Sequence, residues 1–193
     1  MRYTILLLLT LTACRAPQGV VLDSPLALQV QATLGSTRAD LPRLVLEDAP
    51  TLPNGARAIC YEDRIVLAGE GQAEYDFFLA HELVHWYIDD SPYAGLPHFI
   101  EEGLADWISC DVTGVLRERI VESIAIGTLS IDPRHLDVTA AGWSCLSLDE
   151  REGLTRAGFD LVRRLGLAGI RELALQNGDS GVYLQRAGVL AGR

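Results

Sequence analysis

The chain has 193 residues, 49% of them hydrophobic, and a formal net charge of −10. This apolar fraction is ample for a buried core, and the length fits one domain after a short leader. All sixteen basic residues are arginine, and they form no basic stripe along the chain. Because nucleic acids and anionic lipid surfaces bind clustered cations, the charge pattern argues against both as partners.

The chain begins with a short basic start and an apolar run. Met1-Arg2-Tyr3 precedes the apolar residues 5–11, and Thr12-Ala13-Cys14 follows. This pattern is typical of a secretory signal, and the apolar run is much shorter than a bilayer span. Residues 11–14 also resemble the lipobox of bacterial lipoproteins, in which the signal is cut before a cysteine that then carries the lipid. We therefore expect a lipoprotein signal peptide at 1–13, with an ordinary signal peptide as the alternative.

Lipidation of Cys14 would anchor an otherwise soluble protein to a membrane. Arg15 stands where Gram-negative lipoproteins retained at the inner membrane have Asp. The resemblance therefore implies an exported protein at the outer membrane, facing the periplasm. After the signal peptide we expect an anchor segment and N-terminal helix at 14–40, then a single domain at 41–193. We expect a monomer.

Three short strands are predicted before the middle of the chain. Residues 41–47 form the first, and 59–61 and 64–68 form two more that turn at Glu62-Asp63. Each is rich in β-branched and apolar residues and is bounded by turn-forming residues. The pattern indicates a small N-terminal sheet.

Residues 81–85 read His-Glu-Leu-Val-His, the HExxH pattern. Positions i and i+4 of a helix share a face, so His81 and His85 can bind one ion. Glu82, beside them, can reach a water on that ion. Two imidazole ligands and one carboxylate base are typical of a zinc metallopeptidase, whereas a plain amphipathic core helix is the alternative. The turn-rich segment 89–95 then allows the chain to fold back.

A second helix is predicted from Pro97, because apolar residues follow it at helical spacing. Catalytic zinc usually has three protein ligands, and either Glu101 or Glu102 could be the third. We favour Glu102, because it precedes Gly103 and lies four residues before Asp106. Asp106 could accept a hydrogen bond from the other ring nitrogen of a ligating histidine and fix its tautomer.

HExxH followed by Glu-Gly-Leu-Ala-Asp at 102–106 resembles the gluzincin metallopeptidases, the thermolysin-like and aminopeptidase-like group. The resemblance covers about residues 41–110 and implies a peptide or protein substrate. In that group a glutamate on a second helix completes the zinc site, and an edge strand pairs with extended substrate. The resemblance implies that Glu82 is the general base and that Asp106 is the carboxylate that hydrogen-bonds to a ligating histidine. The implied Zn²⁺ ligands are His81, His85 and Glu102.

The same resemblance implies a fold. We expect an α+β, zincin-like domain, with a small N-terminal β-sheet packed on the HExxH helix and a mainly helical C-terminal half. Helices are predicted at 113–126, from a capping box at 147–150 to Gly166, and at 167–176.

Gluzincins usually supply a Tyr or His downstream of the third ligand, which stabilises the oxyanion formed during hydrolysis. His135 and Tyr183 are the candidates for this catalytic role. His98 is expected to be an ordinary residue, and Glu101, if it is not a ligand, is expected to be solvated. Neither candidate lies in a recognisable motif.

Three cysteines remain after the signal: Cys60, Cys110 and Cys145. In an oxidising compartment two of them can pair. Cys110 and Cys145 lie at the ends of predicted elements, which suits a bridge. The sequence does not settle the connectivity.

We therefore expect a zinc-dependent peptidase that hydrolyses peptide bonds in the cell envelope. One alternative is a non-catalytic lipoprotein that keeps the metal site or binds peptides without cleaving them. Another is a peptidase inhibited by a segment of its own chain. Substrate specificity and the choice between endo- and exopeptidase are left open by the sequence.

Overall fold

The computed structural model describes five ranges of the chain: 19–48, 52–69, 74–114, 138–176 and 182–183. The predictions for the signal peptide and Cys14, for most of the helix at 113–126 and for His135 lie outside these residues. In the described ranges, no helix is both long enough and apolar enough to cross a membrane.

Four short strands form one mixed sheet. The strands are β1 (Val20–Val21), β2 (Arg43–Glu47), β3 (Ala58–Cys60) and β4 (Arg64–Ala68). Their order in the sheet is β1-β2-β4-β3; β2 and β4 run parallel, and the other neighbouring pairs are antiparallel. Strand β3 is therefore an edge of the sheet. The three predicted strands are confirmed, whereas β1 was not predicted.

The apolar run of β4 is buried on both faces of the sheet, because successive side chains point to opposite sides. Ile65 and Leu67 belong to the main core, together with the helices. Val66 and Ala68 pack into a smaller cluster with Val45. This two-sided burial holds the sheet against the helical layer.

A short 3-10 helix spans Pro53–Gly55, and five α-helices lie in the described residues. They are α1 (Pro25–Leu34), α2 (Tyr75–Ile88), α3 (His98–Thr113), α4 (Ala140–Trp143) and α5 (Leu148–Leu175). Helix α5 begins at the predicted capping box, in which Ser147 and Glu150 satisfy each other's backbone N–H groups. It breaks at Gly166, whose φ of 67° is non-helical, so the two predicted helices are two segments that meet there.

The main core lies where α3 packs between α2 and α5. At the crossing of α3 and α5, Gly103 and Gly158 bring the two backbones into contact. A Cβ added at Gly103 would overlap the backbone of Gly158 and Phe159, so only glycine permits this approach. The crossing fixes the position of α3 and therefore of the carboxylates that it carries.

The fold is α+β, with a small four-stranded mixed sheet and a mainly helical remainder, as predicted. None of Cys60, Cys110 and Cys145 forms a disulfide within the described residues. The bridge considered between Cys110 and Cys145 is not formed, since Cys110 is buried on α3 and Cys145 is exposed.

Candidate metal centre

Helices α2 and α3 bring two imidazoles and one carboxylate together. The Nε2 atoms of His81 and His85 are 3.2 Å apart. His81 Nε2 lies 3.4 Å from Glu102 Oε2, and His85 Nε2 lies 3.4 Å from Glu102 Oε1. Tetrahedral coordination with bonds of about 2.0–2.1 Å places ligand atoms roughly 3.3 Å apart. The three side chains therefore form a group at metal-binding distance, with nitrogen–oxygen separations close to that value.

Two further carboxylates, those of Asp106 and Glu101, orient the two histidines. Asp106 Oδ1 lies 2.8 Å from His81 Nδ1, and Glu101 Oε1 lies 2.7 Å from His85 Nδ1. A carboxylate can only accept, so each Nδ1–H donates, and each Nε2 is directed toward Glu102. The structure places Asp106 where its spacing predicted.

The structure corrects the expected exposure of Glu101. It was expected to be solvated, yet its side chain is only 22% exposed and it holds His85 in place. The helices run antiparallel, so one turn forward on α2 corresponds to one turn back on α3. If Asp106 faces His81, a carboxylate near 101–102 must face His85. Helical spacing could therefore have indicated a second carboxylate beside His85, but it does not separate the roles of Glu101 and Glu102.

The pKa values show which charge the site favours. Burial alone would lower the pKa of both histidines. For His81, hydrogen bonds with Asp106 and Glu102 outweigh burial and raise the pKa well above its usual value. For His85, the charge of Glu102 and the bond to Glu101 raise the pKa to about 9. The site therefore stabilises positive charge, which a divalent cation supplies when it displaces the imidazole protons.

The acidic members of the site respond in opposite ways. Burial would raise the pKa of Glu101 and Glu102, but the neighbouring histidines lower both to about 2. Glu82 is 8% exposed, and its burial raises its pKa, with smaller opposition from His81 and His85. Glu101 and Glu102 are thus held ionised, whereas Glu82 is shifted toward the range in which a carboxyl group exchanges protons at working pH.

A cleft of about 880 Å³ opens over these residues. One wall is strand β3, the exposed sheet edge, and Cys60 on this strand lies in the wall. Burial raises the pKa of the Cys60 thiol to about 12, so it remains protonated. Trp143 and Arg151 lie on other parts of the wall, and neither was predicted to reach the site.

His98 was expected to be an ordinary residue, but it lines the cleft. Its Nε2 lies 3.3 Å from Glu102 Oε1, and its ring packs edge-on against Trp143 with centroids 4.8 Å apart. His98 precedes Glu102 by four residues, so helical spacing places both on one face. That spacing could have identified it.

Tyr183 does not lie at the site. Its side chain is fully buried in the main core, and it is not among the residues that line the cleft. Its hydroxyl has no hydrogen-bond partner among the described residues, and burial raises its pKa to about 12. The structure therefore does not bring Tyr183 to the cleft, since packing turns its hydroxyl into the core.

The fold and the site together define an α+β protein in which two helices bring three potential metal donors within binding distance. When the chain is compared with protein-family models, curated proteins and solved structures, it matches none of them. The chemistry of the centre is therefore argued from its own residues.

Proposed function

We propose that the protein is a zinc-dependent peptidase with a zincin-like fold of the gluzincin type. The observation that carries this proposal is the convergence of His81, His85 and Glu102 within 3.4 Å of one another, beside the buried Glu82 in an open cleft. Two nitrogens and one carboxylate suit Zn²⁺, and three protein ligands leave a position for water. A purely structural metal site would not need a further buried carboxylate such as Glu82 beside its ligands.

Zn²⁺ held by His81, His85 and Glu102 would polarise a scissile carbonyl and make a water more acidic. Glu82 would act as the general base that takes a proton from water and gives it to the leaving amine. Its raised pKa suits both steps, since a carboxyl group that titrates nearer neutrality both accepts and releases a proton readily. Asp106 and Glu101 keep the two imidazoles in the orientation that presents Nε2.

The edge strand β3 supports a peptide substrate. Within the described ranges no strand pairs with its outer side along the cleft, and an extended chain could add there as a further strand through backbone hydrogen bonds. The signal predicted at 1–13 and the lipidation predicted at Cys14 add a location to the proposal: an exported, membrane-anchored peptidase that acts on envelope peptides or proteins.

The test is Glu82→Gln, which keeps size and polarity but removes the base. We expect hydrolysis of a broad peptide library to be lost, while zinc measured by elemental analysis stays at one ion per chain. Glu152→Gln is the matched control, because Glu152 is exposed on α5 and pairs with Arg156 at 3.2 Å. Wild-type protein that binds no zinc would refute the metal assignment. A variant that cleaves as fast as wild type would refute the base.

One observation favours a second candidate, a protein that holds zinc and peptides without cleaving them. Tyr183 is buried, so this predicted oxyanion donor is absent from the cleft. Full zinc occupancy with peptide binding but no turnover would select this function. Turnover that begins only when a segment of the chain is removed would instead indicate self-inhibition.

A further inference from the structure

We propose that Arg151 forms an anion subsite in this cleft, and that it binds a carboxylate of the peptide substrate. The carboxylate is either the free C-terminus or an acidic side chain, since both present the same group. The inference rests on the proposed peptidase function, and it adds the chemical class of the substrate.

Arg151 belongs to the first turn of α5, directly after the capping box. It lines the same cleft as the metal-binding group, and Trp143 lies on the wall with it. The side chain therefore faces the space that the substrate occupies. The positive end of α5 adds to the favourable potential for an anion there.

The guanidinium of Arg151 has no hydrogen bond or ion pair among the described residues, and its Nε is buried without an acceptor. Two nearby glutamates are engaged elsewhere, since Glu150 closes the capping box and Glu152 pairs with Arg156. Unpaired donors on a charged group are costly. A guanidinium without a partner that lines a cleft is therefore well placed to take an acceptor from a ligand.

The contrast with other arginines sharpens the point. Arg163 and Arg164 on the same helix both pair with the buried Asp160. Arg38, which also lines the cleft, pairs with Asp40 at 2.9 Å. These three arginines have carboxylate partners, whereas Arg151 has none among the described residues and lines the cleft.

The charge of the cleft decides what Arg151 selects. Four carboxylates surround the metal position, and they repel an anionic peptide group everywhere except beside a cation. The carboxylates are Glu82, Glu101, Glu102 and Asp106. A guanidinium is always charged and presents a planar fork that matches a carboxylate with two hydrogen bonds. Arg151 would thus fix both the identity and the register of the substrate.

The experiment measures peptide binding by calorimetry to Glu82→Gln protein, with and without added Zn²⁺. Three N-acetylated peptides of one sequence are compared: a free acid with internal Gln, an amide with internal Gln, and an amide with internal Glu. We expect a carboxylate-bearing peptide to bind about ten- to a hundredfold more tightly than the neutral amide. A gain for the free acid identifies the C-terminus, and a gain for the Glu peptide identifies a side chain.

Adding Arg151→Met should remove that gain. Arg151→Lys should retain part of the gain in affinity, since lysine keeps the charge but lacks the planar guanidinium fork. If Arg151→Met fails to fold, the Lys variant is used in its place. Arg156→Met, on the exposed side of α5, is the control and should keep the gain. Equal binding of all three peptides, no binding of any, or a gain that persists in Arg151→Met would overturn the inference. Hydrolysis by wild type is scored separately, so failure of the peptidase proposal remains distinguishable.

Discussion

Two faces of α3 carry out different tasks. The face toward α2 carries Glu101, Glu102 and Asp106, which interact with histidines through charge and hydrogen bonds. The face toward α5 carries Gly103, which brings backbone against backbone. The first face is polar, and we expect the fold to persist when its carboxylates are changed one at a time. The second face leaves no room for one added carbon. We therefore expect the chemistry of the site to be separable from its placement.

The largest effect should come from the steric face. We expect Gly103→Ala to lower the free energy of unfolding by about 3 kcal/mol or more, because the methyl group would overlap rigid backbone that cannot move aside. Denaturant unfolding measures the change. Gly153→Ala on α5 is the matched control, since its added Cβ meets nothing within 4 Å. It should stabilise the protein by up to about 1 kcal/mol. Equal stability of both variants would mean that the crossing is not close.

On the polar face, Glu102→Gln should lower zinc affinity by more than about 100-fold, since it removes a charged ligand rather than a residue behind one. The metal-free protein should stay folded, as judged by circular dichroism. Competition with a chelating dye measures the affinity. Glu62→Gln is the control, because Glu62 also lines the cleft but lies outside the metal-binding group. Unfolding of metal-free Glu102→Gln would show that the two faces are not separable.

Glu101→Gln should weaken zinc binding by about 10- to 100-fold, because His85 would lose the charged partner on Nδ1. Asp106→Asn should act similarly through His81. The same dye competition compares the two variants. Unchanged affinity in Glu101→Gln would return Glu101 to the solvated role that the sequence first indicated.

The last prediction concerns pH, whose effect on the free energy of unfolding is small for each pH unit. The pKa of His85 is raised from 6.5 to about 9 in the folded chain, so its contribution to stability is present below pH 6.5 and is lost as pH rises to 9. Metal-free protein should lose up to about 1.4 kcal/mol per pH unit for each such group. Zinc-loaded protein should not, since the metal replaces the protons. Thermal midpoints of zinc-loaded and metal-free protein are measured at pH 6.5 and at pH 9. A difference between the two midpoints that is no larger at pH 9 than at pH 6.5 would contradict the prediction.

Much of the architecture could be predicted from local patterns. The strands β2 and β4, the capping box of α5 and the break at Gly166 follow from residue type and short spacing. β1 could not be predicted, because its two residues are held as a strand only by pairing with β2. Tyr183 was misplaced for a related reason, since packing of the core decides which way a side chain faces.

By itself, the sequence determined the donor types and their grouping within each helix. Helical periodicity places His81 and His85 on one face of α2, and Glu102 and Asp106 on one face of α3. Only the tertiary structure decided that Glu102 faces the Nε2 atoms while Glu101 holds His85, and that Arg151 enters the same cleft. These relations join residues far apart in the chain. They depend on how closely α3 packs against α2 and α5, which local spacing does not encode.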